Sequence, residues 1–83
     1  MKSIEDIYYE FVCGNTDFIT LEEGSNLKMN IHSDGAFIVG SLYDWDEDFY
    51  VSTKRVAQTG DFEDDICYLI GILLEDAKVA LMA

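Results

Sequence analysis

The fold is decided by residues 27–43, which read LKMNIHSDGAFIVGSLY. Apolar and polar residues alternate from 27 to 32, the pattern of a strand with one buried face. Ser-Asp-Gly at 33–35 predicts a hairpin, because Asp-Gly supplies the positive φ angles that a tight turn needs. Residues 36–43 are apolar on both faces, which indicates a central strand. The stretch therefore predicts an antiparallel hairpin at the centre of a sheet.

Shorter segments extend this hairpin on both sides. Residues 49–54 resume a β pattern after an acidic interruption, so a second hairpin follows the first. Before the hairpin, residues 18–21 are short and β-prone, and Glu-Glu-Gly-Ser at 22–25 is typical of a turn. We therefore expect an antiparallel meander of three or four strands.

The two ends of the chain carry helical patterns. Residues 4–12 place apolar side chains at i, i+3, i+4, i+7 and i+8, with Ser3 as the N-cap and Gly14 as a left-handed C-terminal stop. Residues 66–80 form a wider apolar stripe, and Thr59 or Asp61 is the candidate cap. The expected fold class is α+β, with an N-terminal helix, the meander, and a long C-terminal helix packed on one sheet face. Residues 1–83 form a single compact acidic domain.

Charge is the outlying property of the composition. Seventeen acidic residues oppose five Lys and Arg, for a formal net charge of −12. Direct binding to nucleic acid or to an anionic membrane is disfavoured by this charge, whereas a basic protein surface is attracted. The alternative is an acidic surface that serves only solubility.

The acids without an obvious folding role concentrate around the only tryptophan, in residues 44–48. If this segment stays extended, three of its carboxylates project on one face about 6.8 Å apart, a row resembling a phosphate backbone. Acids steer a basic partner and an aromatic residue anchors it. The alternative is that Trp45 folds back on the sheet and the acids are solvated. The candidate partner-binding residues are Asp44, Trp45, Asp46, Glu47, Asp48, Glu22, Glu23 and Asp34.

Catalysis and cofactor binding find little support. His32 is the only histidine and lies on the polar face of its strand, where we expect a surface side chain without a catalytic role. The spacing Asp44-x-Asp46-x-Asp48 begins like a calcium loop, but Phe49 and Arg55 occupy the positions of the required Gly and Glu. We expect no enzyme, and no catalytic residue, metal ligand or cofactor.

The cysteines and the N-terminus bear on the compartment. Cys13 and Cys67 form no CxxC pair and have apolar neighbours, so we expect both to pack as small hydrophobic side chains, although one disulfide between them is an open alternative. The N-terminal residues lack the apolar run of a secretory signal, and the longest apolar run is too short for a bilayer. These features predict a cytoplasmic protein, in the host cytoplasm if a phage encodes it.

In size, composition and coarse element order, the chain resembles the small acidic inhibitors that phages and mobile elements encode. These include DNA-mimic antirestriction proteins, inhibitors of uracil-DNA glycosylase and anti-CRISPR proteins. The resemblance covers bulk properties and carries over no residue role. It implies an inhibitor that occupies the basic nucleic-acid-binding surface of a partner such as a nuclease or a Cas effector. Two alternatives are an acidic immunity protein for a basic nuclease toxin, and a homodimeric structural or regulatory domain that pairs through residues 66–82.

Overall fold

The computed structural model describes residues 1–14 and 18–82. Its elements follow the order helix, four strands, helix. Their bounds are α1 Ile4–Cys13, β1 Ile19–Thr20, β2 Leu27–Asp34, β3 Phe37–Asp44, β4 Phe49–Ala57 and α2 Phe62–Met82. The predicted α+β fold is confirmed, and β4 continues three residues beyond the predicted end of that strand.

The sheet is an antiparallel meander of order β1-β2-β3-β4. The central position predicted for β3 is confirmed, since β2 and β4 pair along its two edges. In β2 the predicted alternation holds, with Leu27, Met29 and Ile31 buried. The turn before β3 differs in detail. Asp34 is still paired in the strand, and only Gly35 has positive φ, at 64°. The two-residue loop is Gly35-Ala36, and glycine first is the type II′ pattern.

Both helices pack on one face of the sheet. Helix α2 contacts β3 and β4, and α1 contacts α2 and β1. The two N-caps form as predicted, because Ser3 Oγ accepts from the N–H of Asp6 and Asp61 Oδ1 accepts from the N–H of Asp64. The left-handed end predicted for α1 is wrong. Gly14 is extended at φ −85°, and its N–H closes the helix by donating to the carbonyl of Glu10.

Helix α2 lies close to the sheet at a glycine. A Cβ atom on Gly40 would stand 2.5 Å from Cδ1 of Leu73, so the missing side chain lets the helix approach the central strand. The width of the α2 apolar stripe follows from packing on both the sheet and α1, which buries six apolar residues: Ile66, Leu69, Ile70, Leu73, Leu74 and Ala77.

Packing on the sheet and on α1 leaves part of the α2 apolar surface exposed. The exposed large apolar residues of this helix are Phe62, Tyr68, Val79, Leu81 and Met82. A homodimer through residues 66–82 stays a prediction. No helix within residues 1–14 and 18–82 combines the length and hydrophobicity that spanning a membrane requires.

The opposite side of the sheet, here called the open face, is covered by neither helix. Side chains on this face contact one another across strands. Lys28 Nζ donates to Thr20 Oγ1 at 2.9 Å, and the hydroxyls of Ser41 and Thr53 are 3.2 Å apart. The open face therefore presents a polar and aromatic surface beside the acidic segment at residues 44–48.

Candidate functional site

Residues 44–48 form one tight turn between β3 and β4. The N–H of Asp48 donates to the carbonyl of Asp44 at 2.8 Å, and Asp44 Oδ1 accepts from the N–H groups of Asp46 and Glu47 at 3.0 and 3.1 Å. The condition for a row of carboxylates, an extended segment, is not met, and the connection of the predicted second hairpin forms as a turn instead. An aspartate at the start of a turn satisfies the free N–H groups that follow it, and this local bonding outweighs the extended conformation.

The turn divides its four carboxylates by role. Asp44 stabilises the turn itself, and Asp48 accepts a hydrogen bond from the Tyr43 hydroxyl. Asp48 also has a φ of 57°, the left-handed conformation that returns the chain to β4. The side chains of Asp46 and Glu47 are exposed, with no hydrogen bond or ion pair to the described residues. These two carboxylates are the ones available to another molecule.

Trp45 contributes an exposed ring above this turn. Its side chain is 55% exposed, while its ring meets Phe18 at 5.6 Å and Tyr43 at 5.9 Å, both edge to face. Tyr43 also contacts Tyr50, with centroids 5.0 Å apart. Trp45 therefore packs against its neighbours on one side and is exposed to solvent on the other. This position is intermediate between the two predicted ones, an exposed anchor and a side chain folded back on the sheet. We call this surface the Trp45 corner: Phe18, Tyr43, Trp45, Tyr50, Asp46 and Glu47.

A bulge in β4 accounts for the position of Tyr50. Leu42 pairs with Ser52 whereas Tyr43 pairs with Tyr50, so Val51 is an extra residue in the ladder. The bulge turns Val51 toward the core and brings Tyr50 opposite Tyr43 on the open face. Three aromatic residues of the site were not predicted from the sequence: Phe18, Tyr43 and Tyr50. A usable signal existed for the tyrosines, since they flank the turn at 44–48 and a hairpin there brings its flanking residues together.

The other candidate residues lie at both ends of the sheet. The N–H of Trp45 donates to the carbonyl of Asn26 at 3.0 Å, so the loop carrying Glu22 and Glu23 adjoins the acidic turn. Glu22 faces the N-terminal amine at 3.5 Å. Asp34 lies at the far end of β2, about 23 Å away at seven strand rises. The structure therefore places Glu22 and Glu23 beside the N-terminus of the chain, in a loop that reaches the acidic turn only through Asn26, and places Asp34 at the opposite end of β2.

A second group of acids lies between the helices. Burial raises the pKa of the Cys67 thiol, and the carboxylates of Glu63, Asp64 and Glu5 raise it further. Desolvation likewise raises the pKa of the Tyr8 hydroxyl, with Glu63 as the next cause. These shifts follow because a negative charge forms on each group when its proton leaves. This arrangement opposes thiolate formation, so it does not activate Cys67 as a nucleophile.

The remaining reactive side chains are dispersed. Both cysteines are free thiols, and Cys13 is exposed at the end of α1, contrary to the expectation that it packs as a hydrophobic side chain. His32 is exposed, with Nδ1 3.3 Å from Asn30 Oδ1. Within residues 1–14 and 18–82, no group of three or more His, Cys, Asp or Glu is placed to hold a metal ion.

Comparison of the chain with protein-family models, with curated protein sequences and with solved structures finds no match. The geometry and charge of the Trp45 corner are therefore the observations that bear on function.

Proposed function

We propose that the protein is a small acidic inhibitor that binds a basic partner protein and occupies its nucleic-acid-binding surface. One observation carries the proposal: an exposed tryptophan stands beside two carboxylates that have no hydrogen bond or ion pair to residues 1–14 and 18–82. Aromatic residues at the centre of an interface supply much of its binding energy, and charges around them set the rate and specificity of association.

The net charge supports the same kind of partner. At −12 the chain repels nucleic acid and attracts surfaces rich in Lys and Arg, which nucleic-acid-binding proteins present. The acids of this corner do not repeat the spacing of phosphates, so the proposal depends on local charge and an aromatic anchor. Occupying the basic surface of a nuclease or a Cas effector would exclude its nucleic acid. An immunity protein for a basic toxin would make the same contact, and that alternative stays a prediction.

Affinity capture with three immobilised forms of the protein tests the proposal. The forms are the wild type, the double variant Asp46→Lys/Glu47→Lys, and the control variant Glu5→Lys/Glu75→Lys, which changes the net charge equally on the exposed helical surface. Each form is incubated at low salt with lysate of the cells that naturally contain the protein. The captured proteins are then eluted with double-stranded DNA. We expect the wild type and the control variant to capture a nucleic-acid-binding protein. The Asp46→Lys/Glu47→Lys variant should capture at least roughly tenfold less of it.

A purified binding assay completes this test. The captured protein should lose its nucleic acid when wild-type inhibitor is added, and the site variant should displace that nucleic acid poorly. Equal capture on both double variants would show that bulk charge, and not this corner, selects the partner. Capture that DNA does not reverse would contradict occupation of the nucleic-acid surface.

A further inference from the structure

The open face shows which chemical group its aromatic rings accept. Near the end opposite the Trp45 corner, the Arg55 guanidinium carbon lies 4.7 Å from the centroid of the Phe37 ring. This is the one cation–ring contact among residues 1–14 and 18–82. A planar guanidinium stacks on an aromatic face with little loss of hydration, which a compact ammonium does less well. At that end of the face, the chain supplies its own arginine.

At the Trp45 corner, no Lys or Arg of residues 1–14 and 18–82 stacks on a ring. Trp45 and Tyr50 are each more than half exposed, at 55% and 59%. Lys28 lies directly across from Tyr43 in the sheet, and its ammonium donates to Thr20 Oγ1. The exposed rings of Trp45 and Tyr50 can therefore receive a cation from another molecule.

The adjacent carboxylates favour a guanidinium group over an ammonium group. Asp46 and Glu47 follow Trp45 in the same turn, and their side chains are unpaired toward the described residues. A guanidinium can stack on a ring through its flat face and donate in-plane hydrogen bonds to a carboxylate at the same time. An ammonium is a point charge and lacks this planar combination.

We propose that the Trp45 corner receives an arginine side chain of the basic partner, stacked on the exposed Trp45 or Tyr50 ring and paired with Asp46 or Glu47. This inference rests on the proposed function and specifies the residue type that the site selects. The partner is thus a protein with an exposed arginine on its basic surface, and a surface with lysine alone binds more weakly.

Fluorescence of Trp45, the only tryptophan in the chain, provides the test. The full-length protein is titrated at low salt with glycine-spaced tetra-arginine and tetra-lysine peptides, which have equal charge. We expect the arginine peptide to change the Trp45 emission and to bind about two- to fivefold more tightly than the lysine peptide. The same preference should appear in calorimetry, which does not depend on the fluorophore.

Three variants, each replacing an exposed aromatic ring by leucine and each read by calorimetry, locate the preference. Trp45→Leu and Tyr50→Leu should reduce or abolish the arginine preference. Tyr68→Leu, which removes an exposed ring from α2, should leave it intact. Circular dichroism checks that each variant is folded. If Trp45→Leu does not fold, Tyr50→Leu still tests the preference.

The outcomes separate this inference from the proposed function. Equal binding of the two peptides, lost in Asp46→Lys/Glu47→Lys, would overturn the arginine selection and leave a basic partner supported. An arginine preference that persists in both ring variants would also overturn it. If neither peptide binds at low salt, both this inference and the proposed function are contradicted.

Discussion

Residues 44–48 and 61–65 have nearly the same composition, DWDED and DFEDD, and begin with the same local structure. In each segment the N–H of the fifth residue donates to the carbonyl of the first, at 2.8 and 3.0 Å. In each, the first aspartate also accepts from backbone N–H groups within the turn. Five residues with a leading aspartate thus produce one capped helical turn in two places.

The chain that follows decides what the turn becomes. After residue 65 an apolar stripe at helical spacing continues the turn into α2. After residue 48 the β pattern of 49–57 takes over, and Asp48 at φ 57° reverses the chain. Local capping therefore determines the first turn, whereas the periodicity of the segment that follows determines whether the chain continues as a helix or as a strand.

The largest expected difference concerns the fifth residue of each segment. The Asp65 carboxylate is buried and accepts from the N–H and the hydroxyl of Thr59, both at 2.8 Å. Asp65→Ala removes two hydrogen bonds to a charged acceptor, so the free energy of unfolding should fall by about 2 kcal/mol. Urea denaturation measures this fall.

Two controls separate this loss from the effect of charge. Asp64→Ala removes the same charge from an exposed neighbour and should change the free energy of unfolding by less than about 0.5 kcal/mol. Asp48→Asn removes a charge but keeps a residue type that tolerates a φ of 57°, and it should have a smaller effect than Asp65→Ala because Asp48 is exposed. Equal losses for Asp65→Ala and Asp64→Ala would show that negative charge in the first turn of α2, and not the buried hydrogen bonds of Asp65, supplies the stabilisation.

The first residue of each segment tests whether the two turns are alike. Asp44→Ala and Asp61→Ala each remove a carboxylate that caps backbone N–H groups, so each should lower the free energy of unfolding by about 1 kcal/mol. Asp46→Ala changes no such bond and should be nearly neutral. If Asp61→Ala lowers the free energy of unfolding and Asp44→Ala does not, the two turns are not alike. The turn at 44–48 would then be held by its flanking strands alone.

Much of the fold was predictable because burial follows periodicity. The alternation at 27–31 predicted one covered sheet face, and the two-sided hydrophobicity of 36–43 predicted the central strand. Both results depend on which side chains leave water, which a single sequence records directly. The cap residues Ser3 and Asp61 were predictable for a similar reason, since their partners lie three residues away.

The site was less predictable because it depends on exceptions to periodicity. The bulge at Val51 reverses the facing of Tyr50, and nothing in the local composition marks the extra residue. Phe18 reaches the site from the opposite edge of the sheet, a relation that no sequence spacing encodes. A hairpin connection at 44–48 was predicted, but its tight turn was not, because the capping of backbone N–H groups by Asp44 was not considered.

The smallest expected effect concerns the reactivity of the Cys67 thiol, which lies near the carboxylates of residues 61–65 and not near those of 44–48. In a Cys13→Ser background, Cys67 is the only thiol, and its raised pKa should place the pH midpoint of iodoacetamide alkylation above the ordinary value for a thiol. Glu63→Gln removes a carboxylate that opposes the thiolate, so alkylation at a fixed pH should become faster, by at most about fivefold. Stopped samples analysed by mass spectrometry give these rates.

Glu47→Gln is the matched control, because it removes one charge from residues 44–48, where no cysteine lies. Its alkylation rate at Cys67 should stay close to that of the background protein, since charges on a solvated surface are screened beyond about 10 Å. In urea all three proteins should react alike, because the burial and the carboxylates that raise the pKa act only in the folded chain. A rate increase from Glu47→Gln equal to that from Glu63→Gln would mean that the thiol responds to total charge, and the two acidic segments would then be electrostatically equivalent.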